Sequence, residues 1–110
     1  MTRERQTLIF AAAVLLAAGT ASAAHAQDPA TRGRALLKEL CASCHAIDRL
    51  DMSPRPAAPP FRVIGQSFDL DQFGGRLREG LASSHRDMPE FRFDPDDADA
   101  VVAYLRTIQQ

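Results

Sequence analysis

Only two of the 110 residues are cysteines, and both lie in one five-residue stretch, Cys41-Ala42-Ser43-Cys44-His45. No second cysteine pair exists, so a ribbon-type zinc site, which needs two ligand pairs, is excluded. No βαβ pattern surrounds the pair, which argues against a thioredoxin-like dithiol. The chain also lacks a basic stripe, so nucleic acid binding has no support. It lacks an Arg-Arg pair near its start, which excludes a twin-arginine leader. Its longest apolar run, Leu8 to Ala18, falls short of the ~20 residues a spanning helix needs unless the alanines up to Ala24 are counted.

That run has a different reading. Arg3 and Arg5 precede it, and Ala24-His25-Ala26 closes it with small residues at the spacing of a cleavage site. Residues 1–26 are therefore expected to be a secretory signal, with Gln27 the first mature residue. Ala21-Ser22-Ala23 is a second candidate cut, and a retained membrane anchor is the competing interpretation. Residues 27–110 then form one small domain, and the chain has no membrane span once the signal is removed. The signal takes two basic residues and one acidic residue with it. The 13 basic and 14 acidic residues of the whole chain become 11 and 13, a net of −2.

The cysteine stretch reads as Cys-x-x-Cys-His, the signature of covalent haem attachment. On a helical turn, residues three apart share a face, with roughly 5–6 Å between their β-carbons. Each thiol can then add to one vinyl group of a porphyrin. His45, tethered directly behind Cys44, is brought up to the iron as a nitrogen ligand. The alternatives at the same residues are a local disulfide, free thiols or half a zinc site. An exported chain meets oxidising conditions, so the two thiols must be kept reduced until haem c is attached. Cytochrome c maturation machinery is thus an implied partner, and the periplasm the implied compartment.

Along the mature chain, Asp28 or Thr31 can cap a first helix running into the motif. Its apolar positions are Ala35, Leu36, Leu37 and Leu40, and Gly33 sits in its first turns. From Ile47 to Gly65, Pro54, Pro56, Pro59 and Pro60 predict an extended loop without helix or strand. That loop either wraps the haem edge on the His45 side or is a plain surface connection. Ser67 or Asp69 opens a second helix with Phe73, Leu77 and Leu81 on one face; Gly80 weakens its end. The loop from Ser83 to Phe91 offers Met88 and His85 as iron ligands, Met88 first because a thioether beside a proline in a polar loop is poorly placed as core. Met52 is a distant third. Asp94-Pro95-Asp96-Asp97 starts a last helix whose buried stripe is Ala98, Val101, Val102, Leu105 and Ile108.

The motif near the mature start, the methionine loop late and a helix last resemble a class I monohaem c-type cytochrome over the whole mature chain. The resemblance implies an all-α fold of three or more helices around one haem, with first and last helices crossing. It places Gly33 eight before Cys41 and Leu37 four before it at that crossing, facing Val101 and Tyr104. It implies a proline carbonyl, from Pro59 or Pro60, accepting a hydrogen bond from the haem histidine. It implies Met88 as sixth ligand, Phe91 over the haem face, and Arg55 or Arg62 at a propionate, since there is no tryptophan for that task. The function expected is one-electron transfer with His45 and Met88 on the iron, between transient redox partner proteins, and not catalysis. The rivals are a gas-binding sensor with a displaceable methionine, a haem subunit of a larger oxidoreductase, and a non-haem dithiol or zinc module.

So small a domain buries little surface, and a ligand held only by the native state stabilises it. The protein made without haem should be mostly unfolded by circular dichroism. A native-like helical spectrum in that preparation would contradict this.

Overall fold

The computed structural model describes residues 27–110. The expected signal over residues 1–26 lies outside the described residues. Three α-helices and one 3₁₀ helix make up the fold: α1 (Pro29–Leu40), the 3₁₀ helix (Phe61–Gln66), α2 (Leu70–Glu79) and α3 (Pro95–Ile108). Among the described residues the only extended pairing is a single antiparallel bridge between Leu81 and Phe91.

Each α-helix begins where an aspartate can take up an otherwise unbonded N–H. Asp28 accepts from Thr31 N at 3.1 Å, so Asp28 and not Thr31 is the cap of α1. Asp69 accepts from both Asp71 N and Gln72 N and opens α2 in place of Ser67. Asp94 accepts from Asp97 N at 3.0 Å, with Pro95 fitting the first turn of α3. Gly80 ends α2 with φ +124°, a conformation side-chain-bearing residues rarely adopt. Leu81 therefore lies past the helix rather than on its apolar face, and its place is the bridge to Phe91.

The expected Ile47–Gly65 loop is correct up to Pro60. Beyond it Phe61–Gln66 winds into a 3₁₀ helix that the proline pattern concealed. Phe61 is buried, and its N–H is bound to the Ala46 carbonyl at 2.9 Å. From that anchor no proline remains to interrupt a short helix. Gln109 then fixes the segment from α3: its amide donates to the Phe61 and Leu105 carbonyls, and its carbonyl accepts from Gly65 N.

Helices α1 and α3 cross in close contact, the most extensive of any helix pair here. At the crossing, a β-carbon on Gly33 would run into the Ala100 carbonyl and come within 2.9 Å of Val101 N. The neighbours met are backbone, which cannot rotate aside. Gly33 thus faces Ala100 and Val101. Tyr104 also stands against α1, beside Thr31, Arg34 and Ala35, and its hydroxyl reaches on to the segment behind the cysteine motif. Around the crossing, Leu37, Val101 and Leu105 are almost wholly removed from water. Helix α2 packs on α3 with Gly74 against Val102. Exposed ion pairs, Arg106–Asp71 and Arg78–Asp99, lie over that seam and contribute little.

Two glycine substitutions separate packing from helix propensity. Alanine is favoured over glycine inside a helix by up to ~1 kcal/mol. Gly33→Ala should nonetheless lose about 1–3 kcal/mol in denaturant unfolding, the typical cost of overpacking. Gly75→Ala, with nothing within 4 Å of the added carbon, should be neutral or stabilising. Equal effects at the two positions would refute the backbone contact.

Candidate haem-binding site

The site grows out of the end of α1. Cys41 caps the helix, its N–H bound to the Leu37 carbonyl at 2.8 Å. The chain then makes one more tight turn, with Cys44 N and His45 N both donating to the Cys41 carbonyl, at 3.2 and 2.9 Å. The motif is therefore one turn continuing a helix whose position is fixed by the Gly33 contact. Cys41, Cys44 and His45 all line one cavity of about 610 Å³, a volume usual for small-molecule and cofactor sites.

The cavity is walled mainly by apolar side chains. Phe73 and Leu77 come from α2, Ile64 from the 3₁₀ helix, and Phe91 and Phe93 from the approach to α3. Leu40 and Phe68, two of the four large apolar side chains left exposed in the described residues, also border it. Phe93 was not expected from the sequence. The alternation Phe91-Arg92-Phe93, with Arg92 exposed between two inward phenylalanines, is the signal that identifies it.

His45 is held on two sides. Its Nδ1 lies 2.8 Å from the Pro59 carbonyl. A carbonyl only accepts, so Nδ1 carries the hydrogen and Nε2 keeps its lone pair for a metal. The Pro60 carbonyl is engaged by Val63 N in the 3₁₀ helix, so Pro60 does not serve His45. The imidazole stacks on Phe61, with centroids 4.7 Å apart and 30° between planes. Through Phe61, the Gln109 amide reaches the histidine's environment, a link no local sequence pattern announces.

Met88 comes to the same cavity from the loop at residues 82–90. Every residue of that loop is exposed except Met88, which is half-buried. His85 also borders the cavity but is exposed. Met52 is 86% exposed and does not line it. Arg55 lines the cavity, whereas Arg62 is turned away and donates to the Asp51 carbonyl at 2.8 Å.

Burial, and secondarily the neighbouring Cys44, pushes the Cys41 thiol up to about 11. A zinc ligand must be a thiolate, which this environment opposes; a thioether carries no charge and is at home in an apolar wall. Among the described residues no three His, Cys, Asp or Glu side chains are arranged to hold a metal ion. The donor set, the bare Nε2 and the apolar cavity fit a haem.

The family model for cytochrome c matches residues 30–109. The chain belongs to the cytochrome c family. No curated protein and no solved structure matches it. As a cytochrome c domain it carries the haem c chemistry and haem-based electron transfer of that family, whose members are generally electron carriers rather than enzymes. No helix among the described residues is long and apolar enough to cross a membrane.

Behind the cytochrome motif, Asp48 ties three segments together. Arg34 of α1 grips it with two bonds of 2.8 Å, and the Tyr104 hydroxyl of α3 lies 2.6 Å from Asp48 Oδ1 and 2.8 Å from the Ile47 carbonyl. Arg34, and then Tyr104, hold the Asp48 carboxyl below the usual carboxylate range. Burial first, and Asp48 second, push the Tyr104 hydroxyl up to about 12. Because its folded value exceeds the unfolded ~10, its contribution is complete below pH 10 and is lost as pH climbs towards 12. The unfolding free energy should therefore fall more steeply across that window in the native protein than in Tyr104→Phe. Parallel curves would remove Tyr104 from the network.

Proposed function

We propose that this chain is an exported one-electron carrier whose haem c is held by Cys41 and Cys44 and ligated by His45 and Met88. The observation that carries the reading is that Met88 alone is half-buried within an otherwise exposed loop, at the cavity that His45 also lines. Two side chains of unlike chemistry, one imidazole and one thioether, meet a single apolar space.

The haem supplies an iron that changes oxidation state. The chain's residues decide how easily and where. His45 is oriented by its bond to Pro59, which also makes it a better donor to the iron. Met88, as a thioether, favours the ferrous state relative to a second imidazole. The apolar walls of Phe73, Leu77 and Phe93 disfavour the extra charge of the ferric state, in the same direction. His45 and Met88, holding the iron of a bound haem between them, would leave it no open position for a substrate. That supports a carrier over a gas sensor.

Residues 1–26 serve as a signal in this reading, residues 27–110 as the periplasmic domain. The partners are the cytochrome c maturation machinery and redox proteins met briefly over interfaces below ~1,200 Å². The exposed Leu50 and Met52, at 90% and 86%, are available to such contacts.

Met88→Ala decides the ligand. The iron–sulfur charge-transfer band of the oxidised protein should vanish and the potential should fall. Carbon monoxide should then bind the reduced variant quickly, while the unmodified protein resists it. A band that survives the substitution would move the ligand to another residue, and rapid carbon monoxide binding by the unmodified protein would favour the sensor.

A further inference from the structure

The loop carrying Met88 is fastened at two places. One is its neck, where Leu81 N and Phe91 N exchange bonds with the facing carbonyls at 2.7 and 3.1 Å. The other is a side-chain pair: Arg55 Nη1 lies 3.2 Å from Asp87 Oδ2. Among the described residues no other hydrogen bond or ion pair joins residues 82–90 to the rest of the chain. The remaining bonds of the loop are internal, such as Met88 N to the His85 carbonyl at 3.1 Å.

Arg55 is itself anchored on the motif. Its N–H donates to the Cys44 carbonyl at 3.2 Å, and its own carbonyl accepts from Ala58 N at 2.9 Å. The backbone of Arg55 is thus bound to the residue before His45, and its guanidinium reaches the residue before Met88. Both Arg55 and Asp87 border the cavity. The pair spans from the segment bearing one axial ligand to the loop bearing the other.

We propose that Arg55 and Asp87 form a positioning pair that holds the Met88 loop against the cavity and sets how readily the sixth iron position opens to an outside ligand. The inference rests on the reading of Met88 as that ligand. Neither residue touches the iron. Each acts by restricting a nine-residue loop that, apart from Met88 itself, has among the described residues no other hydrogen-bonded or ion-paired fastening beyond its neck. Both side chains are substantially exposed, so the pair is screened by salt and shifts an opening equilibrium by up to about fivefold. A shift of that size leaves the loop closed at rest while making its opening sensitive to ionic strength.

Imidazole titration of the oxidised haem-bearing protein reads the opening directly. Arg55→Gln and Asp87→Asn should each bind imidazole about two- to fivefold more tightly than the native protein. The double variant should bind no more tightly than either single one, because both remove the same contact. Raising the salt concentration should tighten imidazole binding to the native protein towards the variants' value and leave the variants unmoved. The pairing is overturned if Arg55→Gln shifts the affinity while Asp87→Asn does not, which would mean that Arg55 serves a carboxylate of the cofactor instead. It is equally overturned if the single effects add, or if salt leaves the native protein unchanged. The iron–sulfur band keeps the two readings apart. A native band with unmoved imidazole affinities defeats the pair alone, whereas a native protein without the band defeats the Met88 assignment and the pair together.

Discussion

The approach of α1 to α3 at Gly33 is the constraint on which the rest of the molecule depends. Backbone meets backbone there, with the Ala100 carbonyl occupying the space a side chain would need. That contact fixes the axis of α1, and the cysteine turn is simply the continuation of α1 past Leu40. The orientation of both sulfurs and of His45 is therefore inherited from a helix crossing two turns away. A cofactor attached to a turn needs that turn to be rigid, and rigidity here comes from packing rather than from the motif itself.

The residues behind the motif are secured by polar contacts instead. Arg34, Asp48 and Tyr104 join α1, the segment following His45, and α3. Gln109 and Gln110 close the other side, bonding the 3₁₀ helix and the Arg62 carbonyl. Arg49 adds a bond to the Thr107 carbonyl. The segment from 46 to 60 holds no regular structure, yet its buried backbone at Ala46 and Ile47 is paired, with Ser53 and Phe61 and with Asp51 and Tyr104, as buried backbone must be. This is how a proline-rich stretch with few ladder bonds becomes a firm wall behind an imidazole.

Much of this was legible in the residues. The three helix starts follow from aspartates ahead of apolar periodicity, and all five residues of the expected α3 stripe are buried, joined by Ala100 and Tyr104. The cysteine motif points to the haem c chemistry of the family to which the chain belongs. What escaped was of one kind: contacts between segments far apart in sequence. Four prolines hid the 3₁₀ helix because local propensity cannot see that Phe61 is drawn inward to Ala46 and His45. Pro59 and Pro60 could not be told apart, since the choice depends on which carbonyl the 3₁₀ helix consumes. Tyr104 stands at the crossing as expected, but the reach of its hydroxyl to Ile47 and Asp48, more than fifty residues back, is invisible to local pattern. Phe93 is legible only when the alternation is followed past Phe91 through the exposed Arg92.

The order in which the chain is made bears on the helix crossing. The partners that lock α1 lie near the far end, about seventy residues downstream, so the ends meet only after everything between them exists. Ring closure over such a span is entropically late. During synthesis the cysteine turn is out well before Ala100 and Val101, and until they arrive nothing seats Leu37 or walls in the sulfurs. The segment that must be reached by chemistry is thus open early and enclosed late, a timetable written into the topology rather than into any residue of the motif.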